Sequence, residues 1–403
     1  MSTIDALSRA LDISEHIWTA RRDEQNSPDS KRVARKFSIH EASRLIGRSA
    51  SSLRKLEREG LVKAPSRDAR NHRVYSLEDI DEHRQAFGIN AGREEGDNCC
   101  ICAVIAYKGG AGKTTTATSL AHHLTMKGKK VLLIDCDPQA SSSAFFGYIP
   151  DHEFEADETI YRVLVRDDRD GQRNHIDAAD MRKIIRPTHW GQLDLVPASL
   201  DLYAAEYMMP AEMRDQALAA AEEGGDPADT SLITSRLLDA INTVESDYDV
   251  VILDAPPSIG LISMALVNAA DALICPIQPS VVDYASTQSF MTMVIGLLER
   301  FSHKEDLSFV RVLINNYSRH EGTDEVVNMI RATYGSFVLN NTLPATQEIK
   351  NASRYLKTVF ELERPIGTQR TFNRAYQNLM DTFDEIEDLI EQTWPSRNNE
   401  VSP

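Results

Sequence analysis

The sequence predicts an α/β fold, a mostly parallel sheet flanked by helices, with a small basic helical module ahead of it. Three observations carry this. Short apolar runs such as Lys130–Ile134 and Asp249–Leu253 are too brief for buried helices, and each leads into an aspartate, Asp135 or Asp254. Another run, Ala103–Ala106, opens into the glycine-rich stretch Gly109-Gly110-Ala111-Gly112-Lys113. Charge is also uneven: the net charge is −17, yet Lys31–Tyr75 holds 13 Lys/Arg against 4 Asp/Glu. A basic segment on an acidic body is the footprint of a nucleic-acid reader.

The remaining composition narrows the class. At 403 residues the chain has room for two or three domains. No apolar run approaches the roughly 20 residues of a membrane helix. Asp5, Asp12 and Glu15 lie where a signal peptide would be apolar, so a cytoplasmic protein is expected. Cys99, Cys100 and Cys102 are crowded together without a downstream pair, which excludes a disulfide framework or a paired-cysteine metal site.

Residues 1–30 read as an N-terminal helix and its exit. Ile4, Leu7, Leu11 and Trp18 fall near a and d positions, so this helix could pair with a copy of itself or pack on the next domain. Residues 24–32 read as a linker. Within 37–88, Ser38 caps a helix that Gly47 stops, and Ser49 caps a second, Ser51–Glu59, that Gly60 stops. Two short helices around a tight turn make a helix-turn-helix. A polar loop over 63–72, the strand Arg73–Tyr75 and a helix from Ser76 complete the unit. Residues 89–98 read as a second linker, 99–395 as the α/β body and 396–403 as a polar tail.

In the body, strand, glycine loop and helix follow in the order of a phosphate-binding P-loop. Gly109, Gly110 and Gly112 let backbone N–H groups turn toward an anion at a helix N-terminus. Lys113 would reach the β- and γ-phosphates of ATP, or the β-phosphate of ADP, with the Thr114 hydroxyl on Mg²⁺. Tyr107 replaces the first glycine of the strict motif, and a second lysine, Lys108, precedes the double glycine. Asp135 and Asp137 have the spacing of one strand face, which points both toward the phosphates. Asp254, closing an apolar strand ahead of Ala255-Pro256-Pro257, fits a Walker B acid. Further strands are expected at 193–197, 272–277, 310–314 and 337–339. The acidic last helix, with Tyr376, Leu379, Phe383, Ile386 and Ile390 at helical spacing, reads as core packing rather than a membrane contact.

KGGAGKTTTA, DCDPQAS, AFFGY and DAPPSIG together resemble the deviant P-loop of the ParA/MinD ATPases. With its N-terminal module, the chain is most similar to the RepA branch found in RepABC plasmid replication and partition systems. The module itself resembles the winged helix-turn-helix of the MerR family. That likeness implies base contacts from Ser51, Arg54, Lys55 and Arg58, and phosphate contacts from Arg67, Arg70 and Arg73. The ParA resemblance implies that Lys108 crosses an ATP-sandwich homodimer to the partner's phosphates and that Asp137 orients the attacking water. It further implies nucleotide contacts from Gly109 to Thr115, adenine contacts near Asn315 and Pro344, and Mg²⁺-linked roles for Thr114, Asp135 and Asp254. Implied partners are a ParB/RepB-type centromere-binding protein and DNA, bound specifically by the module and nonspecifically by the nucleoid-associated body. Lys350, Arg354, Lys357 and Arg370 are the candidates for that second surface. A nucleotide-sensing repressor without a motor role is the alternative.

Overall fold

The computed structural model describes residues 3–25, 34–165, 178–222, 231–258, 260–301 and 306–398. The expected linker at 24–32 falls mostly outside them, as does the end of the polar tail. Helix α1 (Thr3–Gln25) leaves Ile4, Leu7 and Leu11 exposed.

The basic module combines α2 (Ile39–Ile46), α3 (Ala50–Glu59) and α4 (Leu77–Ala86) with a three-stranded antiparallel sheet. That sheet contains β1 (Phe37–Ser38), β2 (Ser66–Arg67) and β3 (Arg73–Tyr75) in the order β1-β3-β2. Ser38 and Glu41 form a reciprocal capping box, and Gly47 ends α2 in the left-handed region at φ +70°. Ser49 caps α3, and Gly60 ends it in the same way. Caps and stops therefore fall where serine and glycine chemistry places them.

The body holds β4 (Cys100–Val104), β5 (Val131–Asp135), β6 (Arg186–Pro187), β7 (Leu193–Val196), β8 (Val250–Asp254), β9 (Ala272–Ile277) and β10 (Phe309–Ile314). They form one sheet ordered β10-β9-β4-β8-β5-β7-β6, parallel throughout except for β6 against β7. Alternate residues enter different cores. Cys100, Cys102 and Val104 pack with α5 (Lys113–Met126) and the Gln369–Glu391 helix, whereas Ile101 and Ala103 pack with the Leu261–Ala269 helix. Covering both faces is what makes these strands continuous apolar runs. Residues 337–339 differ from expectation: Gly335–Phe337 is a 3₁₀ turn, and Val338 makes only a single bridge to Val312.

The module is docked on the body rather than tethered beside it. Phe37 meets Trp190 edge-on with ring centroids 6.3 Å apart, and Arg35 donates to Leu362 O at 3.0 Å. Buried Arg84 donates to Met126 O, the last carbonyl of α5, and to Leu45 O at 3.0 Å. Residues 89–98 are also fastened. Arg93 reaches Asp97 O and Glu245 O, and buried Asp97 accepts from the Ser396 backbone. Residues 89–98 thus hold no helix or strand, and their polar groups are engaged in this hydrogen bonding.

Candidate functional site

The phosphate cradle lies where β4 feeds α5. Gly110 and Gly112 take φ +78° and +93°, a region closed to most side chains, and Gly112 caps the helix. A Cβ on Gly112 would come within 2.0 Å of Asn315 Nδ2. Asn315 donates that amide to Ala111 O at 2.8 Å, and Gln278 donates to Gly110 O at 2.6 Å. Gln278 follows β9 and Asn315 follows β10, so the loop is held from the ends of two successive strands. Pro344 is buried and bridges to Tyr317, two residues past Asn315.

Lys113 is buried on the first turn of α5. Burial lowers its pKa, opposed by the carboxylates of Asp254 and Asp137. Asp254, fully buried at the end of β8, accepts Ser142 Oγ at 2.8 Å, and the Thr114 side chain helps hold its pKa down. Asp135 accepts both the backbone N–H and the hydroxyl of Ser143 at 2.8 Å. Asp135 and Asp137 do not share a strand face. β5 ends at Asp135, and Asp137 sits in the following turn, its Oδ1 accepting the Gln139 N–H at 2.9 Å. Asp137 reaches the Lys113 side through that turn, not through strand alternation. Ser142, Ser143 and Gln278 were not legible as site residues, because no local motif ties them to the acids or to the loop.

Asp254 and Asp137 act on the buried Lys113 ammonium and Asp135 acts on Asp254, which leaves an excess of negative charge. Burial pushes Asp254 up to about 6, and burial with the Asp254 charge raises Asp135 well above the usual range. Asp254 Oδ1 is buried without a hydrogen-bond partner among the described residues. An oxygen-only donor set of this kind fits a hard divalent cation such as Mg²⁺. An acid raised on folding favours the fold below its ordinary pKa, and that contribution fades as pH climbs toward 6. A bound cation removes the repulsion. Mg²⁺ with nucleotide therefore raises the melting temperature more at about pH 8 than at about pH 5, as scanning calorimetry would read. An equal shift at both would contradict the charge assignment.

Lys108 pairs with Asp283 in this single chain. Its ammonium lies 2.9 Å from Asp283 Oδ1 within the same chain, and its side chain keeps 47% exposure. Asp283 is nearly buried and also receives the Ser280 hydroxyl. Around this pair, Tyr107, Val281 and Val282 are exposed.

On the module, Leu53 and Leu56 face the core, while Ser51, Arg54, Lys55, Arg58, Arg67 and Arg70 face solvent. Arg73 is the exception. Its Nε donates to Glu57 at 2.7 Å, and Tyr75 OH occupies the other Glu57 oxygen at 2.6 Å.

Fold and site together define a P-loop ATPase with an additional loop lysine and a DNA-reader-like module. The AAA domain family model matches residues 99–309, and that of the MerR family regulatory protein matches 38–75. A Sinorhizobium fredii protein carrying the name replication protein A is 31% identical over 384 residues, 92% of this chain and 90% of its own length. SopA of Escherichia coli K12 is 31% identical, covering 92% of this chain and 93% of its own length. A solved structure described as a partition protein superposes with a TM-score of 0.60 at 19% identity, over 97% of this chain and 99% of its own. The chain belongs to the ParA family of partition ATPases.

Proposed function

We propose that ATP and Mg²⁺ close two copies of this chain face to face, that hydrolysis reopens them, and that the cycle moves DNA during partition. The backbone of Gly109–Gly112 with Lys113, Thr114 and Thr115 takes the phosphates, and Asn315 and Pro344 flank the base. Thr114, Asp135 and Asp254 hold Mg²⁺, which when bound offsets phosphate charge. Asp137 accepts a proton's hydrogen bond from the attacking water and aligns it for in-line transfer.

The observation that carries this reading is Lys108. A half-exposed ammonium beside the cradle, ringed by exposed Tyr107, Val281 and Val282, suits a group that leaves Asp283 for a second copy's phosphates. The test is ATP-dependent dimerisation, read by light scattering. ATP that leaves the protein monomeric, at concentrations that saturate it, would remove the trans lysine.

In this reading the module recognises an operator and represses the chain's own operon, while the ATP dimer binds nonspecific DNA through its body. A ParB/RepB-type centromere-binding partner accelerates hydrolysis, and the protein works in the cytoplasm on the nucleoid. Arg54→Ala and Arg58→Ala weaken operator binding by about tenfold or more if each reads a base edge. Lys350→Ala and Arg354→Ala leave the operator footprint intact and lower the salt slope of nonspecific binding by about one per lost phosphate contact. A wild-type footprint without any protected site would remove the repressor role.

A further inference from the structure

A second cluster of ligand-type side chains lies away from the phosphates, at the seam between module and body. His122 comes from α5, His189 from the loop between β6 and β7, and Glu361 from the 3₁₀ turn Val359–Glu361. Their donor atoms all lie within 4.8 Å of one another. His189 Nε2 is 2.9 Å from Glu361 Oε1, and His122 Nε2 is 3.8 Å from Glu361 Oε2. We propose that His122, His189 and Glu361 form a binding site for a transition-metal ion of the zinc class.

Donors about 2.05 Å from a tetrahedral zinc stand about 3.3 Å apart, and each imidazole already lies near that distance from one oxygen of the Glu361 carboxylate. His122 Nδ1 lies 2.8 Å from Thr118 O. A carbonyl only accepts, so Nδ1 carries the proton and Nε2 offers its lone pair toward the carboxylate. Glu361 Oε2 is oriented in turn by the Thr358 N–H at 2.8 Å. His189 Nδ1 has no hydrogen-bond partner among the described residues, so only Glu361 favours a proton on Nε2. Metal binding displaces that proton, either onto Nδ1 or to solvent.

The walls are apolar: Phe146 stacks on His122 at 5.2 Å, and Trp190 meets it edge-on at 4.6 Å. Two imidazoles select zinc over magnesium or calcium, and water or the second carboxylate oxygen completes the shell. The neighbouring cluster of His123, Asp384 and Glu387 differs, because Lys127 lies 2.6 Å from Asp384 and Lys129 pairs with Glu387, so ammonium groups already supply the cation. Position suggests the use of the zinc. Trp190, next to His189, packs on Phe37, and Leu362, next to Glu361, receives Arg35. An ion here braces both anchors of the DNA-reading module.

The test uses tag-free full-length protein, wild type, His189→Gln and Glu361→Gln, stripped by chelator and titrated with Zn²⁺ alone. The glutamines keep a polar group at each position, and melting of the stripped proteins shows whether the variants fold. The expected result is about one zinc retained per wild-type chain after dialysis, with a higher melting temperature. Both variants lose the retention and the shift, and Co²⁺ gives tetrahedral ligand-field bands in wild type only. Absence of retained zinc and of any shift in wild type would overturn the proposal. Equal retention by wild type and variants would overturn it too, by placing the metal elsewhere.

Discussion

Asp137→Asn lowers ATP hydrolysis by about 10²-fold or more, the contribution expected of a lost water-orienting base, while nucleotide still binds. The substitution is nearly isosteric. Its retained oxygen can still accept the Gln139 N–H, so the turn after β5 keeps its shape. What changes is charge, since Asn cannot take the water's proton and no longer faces Lys113 as an anion. Single-turnover hydrolysis alongside equilibrium nucleotide binding separates the two effects. A variant that hydrolyses like wild type would move the base elsewhere, and one that cannot bind nucleotide would make Asp137 a structural partner of Lys113.

Lys108→Ala abolishes ATP-dependent dimerisation and lowers the stimulated rate by about 10²-fold or more, the scale of a cation supplied in trans to a phosphoryl group. Lys108 pairs with Asp283 and with no other acid among the described residues, and its truncation leaves the cradle itself intact. Nucleotide binding by a single copy therefore survives. The same geometry places Asp283 as a positioning residue: Asp283→Asn weakens the hold on Lys108 and shifts dimerisation to lower ATP concentration. If the pair were only a structural ion pair, Asp283→Asn would lower the melting temperature and leave the ATP dependence unchanged.

The core of this fold is legible because its physics is local. Five-residue runs such as Val131–Asp135 and Val250–Asp254 bury both faces, and their terminal acids mark the end of the sheet where ligands gather. The P-loop is legible for the same reason, since glycine conformation, helix start and lysine are consecutive. What the sequence hides depends on long-range closure. Asp283 meets Lys108 from 175 residues away, and Ser142 meets Asp254 across 112. Neither spacing belongs to a motif. Residues 89–98 look like a linker because their polar groups are satisfied by Asp249, Glu245 and Ser396, partners that only folding supplies. Arg73, expected at a phosphate, also pairs with Glu57, a partner 16 residues away that no motif announces.

The most direct measurement is ATP turnover by wild type and Lys108→Ala, each with and without nonspecific DNA. The account predicts slow turnover that DNA accelerates in wild type, and a Lys108→Ala protein that binds ATP yet does not respond to DNA. Turnover indifferent both to DNA and to Lys108 would contradict the trans-lysine mechanism and favour a repressor that only senses nucleotide.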